Sequence, residues 1–188
     1  KLKAYSGLEL PAGTTWTFFE WQVINAMNVI SLADEAVIKC FEFDAQPEEI
    51  VIDEINKLAY VSTPSTSSIY VIDLNKMQMK QKIQVNGRCT KLTLADKATK
   101  IIYVDKTTND VWCVELDNDY TIKEVGIFPN VSAIAYSQNK IYLASRTKNR
   151  VAIVDYATMT LADEFEVSPK PVDMFVYFNN LYILSAEN

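Results

Sequence analysis

No histidine occurs anywhere in these 188 residues. That absence removes His general bases, Ser–His and Cys–His nucleophile pairs, proximal-His haem, and most zinc or copper sites built from this chain's own side chains. Cysteine is scarce as well. Cys40, Cys89 and Cys113 are an odd number with no C-x-x-C spacing, which excludes a zinc ribbon or a thioredoxin-type pair. Three free, buried thiols are expected, with one disulfide plus one free thiol as the alternative. No apolar run is long enough for a transmembrane helix, and no charged segment followed by an apolar one opens the chain as a signal peptide would. No Lys/Arg run occurs either. With a formal charge of −6 and a pI near 4.8, the chain repels a phosphate backbone, so no nucleic-acid partner is expected. What is present is ordinary for a globular domain: 49% apolar and 22% charged residues, in a length sufficient to bury a core. Lys1 is not a methionine, so it is not taken as the natural start.

Internal periodicity is the main positive signal. A tyrosine follows Lys or Asn in a short apolar run at Lys57-Leu-Ala-Tyr60, Lys100-Ile-Ile-Tyr103, Lys140-Ile-Tyr142 and Asn180-Leu-Tyr182, with tyrosines 43, 39 and 40 residues apart. A second anchor, an apolar run leading to an acid, places Ile30, Ile72, Val114 and Val154 at spacings of 42, 42 and 40. A third opens each unit: Pro47-x-x-Ile50, Cys89-x-x-Leu92, Asn130-x-x-Ala133 and Pro171-x-x-Met174. Inside a unit the pattern alternates with period 2 between turn residues, as half-buried strands require. One copy divides into strand A at 90–95, strand B at 100–105, strand C at 111–116 and strand D at 121–127. The expected fold class is therefore all-β: a β-propeller of four-stranded antiparallel blades, each about 41 residues long, whose sheets cover one another's faces. Residues 1–188 are expected to form one partial propeller. Its approximate units are a degenerate or incomplete one at 1–27, then 28–68, 69–110, 111–150 and an incomplete 151–188.

The units resemble the YVTN-type propeller repeat, the family of quinoprotein amine dehydrogenase-like propellers. Lys100-Ile-Ile-Tyr103-Val-Asp105, Ser68-Ile-Tyr-Val-Ile-Asp73-Leu, Gln81-Lys-Ile-Gln-Val85 and Asp163-Glu-Phe-Glu-Val167 before Pro169 and Pro171 carry the likeness over about residues 26–188. The glycine expected in the A–B hairpin is absent. So are the Gly-His and Trp-Asp pairs of WD blades and the double glycines of kelch blades. The resemblance implies a ring of seven blades, sometimes eight, and seven would take about 290 residues. This chain then holds about four and a half blades, and the missing ones are expected in the same protein or in another chain. Leu8–Leu10 resembles an outer strand able to complete the last blade, and Trp16–Trp21 an inner strand. The family resemblance slightly favours a periplasmic or extracellular setting; unpaired cysteines leave the cytoplasm as the alternative.

In a propeller the D–A and B–C loops share one rim. Here that rim would present Arg146, Lys148, Arg150, Arg88 and Lys170 against Asp44, Glu48 and Glu49, an arrangement able to steer and orient a protein partner. No residue is assigned to catalysis, to a cofactor or to a metal, and no cofactor is expected. Asp117-Asn118-Asp119 lacks the glycine and late glutamate of a calcium loop and reads as a turn. Asp73, Glu115 and Asp155 recur as caps of C–D turns. Tyr60, Tyr103, Tyr142 and Tyr182 are expected to pack between blades in equivalent positions. Trp112 is expected to pack rather than to make a surface contact, and Asn130-Val-Ser132 forms a glycosylation sequon. The function these features favour is a non-catalytic protein-interaction or scaffold propeller. The alternatives are a propeller of a redox or hydrolytic enzyme whose active residues lie outside this chain, and a sugar- or peptide-binding propeller.

Overall fold

The computed structural model describes residues 25–117 and 119–186, and in them 16 strands in five antiparallel sheets. A leading hairpin pairs β1 (Ala26–Ser31) with β2 (Ala36–Glu42). The first full sheet runs β3 (Glu49–Asp53), β4 (Leu58–Thr63), β5 (Ser68–Asp73) and β6 (Gln78–Gln84). The second runs β7 (Cys89–Ala95), β8 (Lys100–Asp105), β9 (Asp110–Glu115) and β10 (Ile122–Ile127). The third runs β11 (Val131–Ser137), β12 (Lys140–Ser145), β13 (Arg150–Asp155) and β14 (Thr160–Glu166). A trailing hairpin pairs β15 (Pro171–Tyr177) with β16 (Asn180–Ser185). Each full sheet is a meander in strict chain order, and the first strands β3, β7, β11 and β15 neighbour one another in turn. This is an incomplete propeller of about four blades, with its A strands innermost.

The strands expected at 90–95, 100–105, 111–116 and 121–127 agree with β7–β10 to within one residue. Unit boundaries at 28–68, 69–110 and 111–150 are out of phase with the sheets. They divide each full sheet between its second and third strands. Leu8–Leu10 and Trp16–Trp21 lie outside the described residues.

Burial grades outward across each blade. Strand β8 is buried along all of Ile101–Asp105 because sheets cover both of its faces. The outer strands β6 and β14 are almost wholly exposed and carry Lys, Gln, Asp and Glu, which make a poor template for edge pairing. Alternation along a single strand feeds two cores. Ile101, Tyr103 and Val114 pack against Tyr60, Ile69 and Val71 of the first sheet. Ile102, Val104 and Cys113 pack against Ile141, Leu143 and Val154 of the third. Each fully buried isoleucine in these layers stabilises the fold by ~1.5–3 kcal/mol. Register shifts fall at Val29/Ile30, Val71/Ile72 and Ile153/Val154, so three of the four second-anchor positions mark a bulge between strands C and D, while in the second sheet the shift lies between Glu124 and Gly126.

Two expectations about single residues are corrected. Tyr103 is not equivalent to the other tyrosines. Pairing places Tyr60 opposite Val51, Tyr142 opposite Ala135 and Tyr182 opposite Phe175, whereas the matching position in the second sheet is Ile102, opposite Thr93. One residue further on, Tyr103 points to the opposite face, toward the first sheet. There its hydroxyl donates to Asn86 O at 3.0 Å and accepts from Asn86 N at 3.1 Å. The thiols also differ from expectation: all three are free, with Cys89 and Cys113 buried, but Cys40 is exposed on the leading hairpin. Trp112, partly buried, packs against the core between the first and second sheets.

The trailing hairpin has one open face. Phe175, Tyr177, Tyr182 and Leu184 are 53, 60, 44 and 56% exposed. Their counterparts in the third sheet include Ala135 and Ala144, which are buried under the following sheet.

Candidate functional site

The rim that gathers the D–A and B–C loops is built by repeated ties. Lys106 N donates to Arg88 O at 3.1 Å, Arg146 N to Asn130 O at 3.1 Å, and Ala186 N to Lys170 O at 3.0 Å, joining the two loops of each blade. The last residue of strand B reinforces them. Ser145 Oγ donates to Pro129 O at 2.7 Å and Ser185 Oγ to Ser168 O at 3.0 Å. In the second blade that residue is Asp105, whose Oδ1 accepts from Arg88 N at 3.1 Å and Thr107 N at 2.8 Å. Burial pushes the Asp105 carboxyl up. The bonds from Thr107, Arg88 and Thr108 together outweigh it and hold the group below the usual carboxylate value.

Successive blades are joined by asparagines in the left-handed backbone region. Asn109 (φ 65°) accepts on Oδ1 from Asn130 N at 3.0 Å, and Asn149 (φ 53°) from Lys170 N at 2.9 Å. Asparagine tolerates this backbone and offers a short side-chain acceptor, so one residue both ends a loop and fastens the next blade. These two asparagines, 40 residues apart, were a repeat signal that the sequence reading missed.

The eight charged residues expected on the rim separate into two groups. The three acids are engaged within the protein. Lys82 Nζ donates to Asp44 Oδ2, and this bond with that from Tyr70 holds the carboxyl low. Glu48 lies 3.9 Å from Lys106 Nζ and Glu49 lies 3.4 Å from Lys91 Nζ, both lysines belonging to the next blade. Arg150 is engaged too, reaching Glu164 at 3.0 Å and Glu166 at 2.9 Å on the neighbouring strand β14. Among the described residues, the side chains of Arg88, Arg146, Lys148 and Lys170 make no ion pair or hydrogen bond. Of the eight, the three acids and Arg150 are thus paired within the protein, Glu48 and Glu49 across to the next blade, and the four residues left without a partner among the described residues are all cations.

Two clefts flank the loop 146–149. The inner one, of about 420 Å³, is lined by Lys91, Lys106, Asn109, Asn130, Arg146 and Thr147, with Val104, Val131 and Val172 as its apolar part. The outer one, of about 190 Å³, is mostly apolar: Ile127, Phe128, Pro129, Leu143 and Leu161 line it, with Lys148, Arg150 and Glu164 at its edge. Ile127 and Leu161 are 69 and 56% exposed. Arg146 thus belongs to a polar inner cleft and Lys148 to an apolar outer one.

Elsewhere, Asp73 and Asp155 accept backbone N–H groups of their C–D turns, from Lys76 at 2.9 Å and from Ala157 at 3.0 Å. Glu115, at the same blade position, pairs with Lys123 at 2.6 Å. Among the described residues no three Cys, Asp or Glu side chains are placed to hold a metal ion. Of Asp117-Asn118-Asp119, the asparagine lies outside the described residues.

No protein-family model and no curated protein matches the chain. Solved structures do. The chain is similar to a chain in the crystal structure of a nidogen/laminin complex (TM-score 0.64, 12% identity), covering 78% of this chain and 60% of that one. It is similar to apo AztD from Citrobacter koseri (TM-score 0.60, 14% identity), with 74% and 41% covered. It is also similar to Kuenenia stuttgartiensis hydrazine synthase (TM-score 0.64, 12% identity), with 80% and 45% covered. The chain therefore spans less than two thirds of each of these chains. At such identities the likeness is one of fold: a β-propeller.

Proposed function

We propose that this chain is a protein-docking part of a propeller, and that the partner sits on the rim around loop 146–149. One observation carries the proposal: a single exposed loop separates a cationic polar cleft from an apolar cleft bordered by exposed Ile127 and Leu161. Apolar contact surface beside unspent positive charge is the combination from which protein interfaces draw affinity and orientation respectively. The similarity to a propeller from a nidogen/laminin complex supports this use of the fold, as Tyr103-Val104 and Ile69-Tyr-Val-Ile-Asp73 support a YVTN-type origin. The remaining blades, in the same protein or in another chain, would extend the same rim.

Site-specific photocrosslinking tests this reading. A photoreactive amino acid in place of Lys148 in the full-length protein, in cells that make it, is expected to capture one partner protein. The same group in place of Lys97, in an A–B turn away from the rim, is expected to capture none. Equal capture from both positions, or none from Lys148, overturns the proposal.

A further inference from the structure

We infer that the inner cleft is a seat for carboxylates, and that the partner presents an acidic segment to it with Arg146 as the anchor. The inference rests on the docking reading above and adds the chemistry of what is docked.

Three cations, Lys91, Lys106 and Arg146, line the cleft, and no acid is among its lining residues. Glu49 and Glu48 reach the two lysines from the preceding blade, at 3.4 and 3.9 Å. Those contacts hold the ammonium groups in place, and each group keeps donors to spare. Arg146 is unspent, and its planar fork of N–H donors fits a carboxylate bidentately. Neutral donors sit beside it. Asn109 Oδ1 is taken by Asn130 N, which leaves the Asn109 amide NH2 as the group free to donate. The side chains of Asn130 and Thr147, also in the lining, have no hydrogen bond among the described residues. Val104, Val131 and Val172 supply an apolar surface for the methylenes of a glutamate.

The cleft, about 420 Å³ and open to solvent, has room for the side chains of a short chain segment. Net charge makes the inference selective. A chain of formal charge −6 repels an acidic peptide overall, so saturable binding of one must come from a local cluster.

Fluorescence anisotropy with labelled hexaglutamate at low salt is the test, with hexa-asparagine and inorganic phosphate as comparison probes. Saturable hexaglutamate binding is expected, with no binding of hexa-asparagine. Arg146→Glu is expected to weaken it at least tenfold, Arg146→Lys by a smaller factor because the bidentate contact is lost, and Lys97→Glu by less than twofold. Arg146 is exposed, so unchanged thermal unfolding of the variants is expected and is measured alongside. Absent hexaglutamate binding overturns the inference, as does equal weakening by Arg146→Glu and Lys97→Glu. Phosphate competing as well as unlabelled hexaglutamate would make the cleft a seat for a free oxyanion and overturn the acidic segment. Crosslinking from position 148 with no hexaglutamate binding would leave the docking reading standing and remove this one alone.

Discussion

Gly87 packs so closely against Asp105 that a Cβ on the glycine would lie 1.8 Å from Asp105 Oδ2. The glycine also has φ +65°, a backbone region that costs L-residues about 1–2 kcal/mol. Gly87→Ala therefore meets two penalties. It strains the loop and displaces a carboxylate that holds Arg88 N and Thr107 N. The expected loss is about 2–4 kcal/mol in urea unfolding, within the range of strained or buried-network substitutions. A loss below about 1 kcal/mol would show that the loop relaxes without Asp105.

Asp105 also sets a pH dependence. Its folded-state pKa is lowered, so its contribution is fully present above the unfolded value near 3.9 and is lost as pH falls through the folded value. Asp44 and Asp155 are lowered in the same direction, by Lys82 and by Thr158 respectively, but neither is buried and solvent screens both. Acid unfolding of Asp105→Asn is expected to show a shallower fall in stability below about pH 4 than the parent chain. Identical slopes would assign the acid sensitivity to other carboxylates.

Tyr103 and Tyr182 look alike in sequence and are not alike in the fold. Tyr103→Phe strips two hydrogen bonds from Asn86 and leaves its backbone groups in a part-buried site, an expected cost of about 1–3 kcal/mol. Tyr182→Phe, at a side chain 44% exposed, is expected to change stability by less than about 0.5 kcal/mol. Equal costs from urea titrations would contradict the one-residue offset.

The cysteines give a chemical check on blade packing. Burial pushes the Cys89 thiol up to about 12 and the Cys113 thiol up to about 11. In the native chain a disulfide-exchange reagent at pH 8 is expected to titrate Cys40 alone, and all three thiols only after denaturation. Rapid reaction of Cys89 or Cys113 would mean that the cores between blades open.

The period, the strand order and the strand boundaries of the complete blade were legible in the sequence because alternation and turn residues are local signals. Tyr103 shows what local signals miss. Tyrosine spacings of 43 and 39 hide a slip of one position that strand pairing alone reveals. The rim loops were legible too, but not the state of their charges. Glu48 and Glu49 find Lys106 and Lys91 more than forty residues away, on the next blade, and no spacing rule encodes such a pair. The exposure of Cys40 likewise depends on which faces of the leading hairpin are covered, a property of the assembled sheets.

If the free cations around loop 146–149 are the working surface of this propeller, backbone amide shifts will locate a bound acidic chain there. Titration of the labelled chain with hexaglutamate is expected to move Arg88, Asn109, Asn130 and 146–148 and to leave the A–B turns at 54–57 and 96–99 unmoved. Changes centred on those turns, or spread evenly over the chain, would contradict that location.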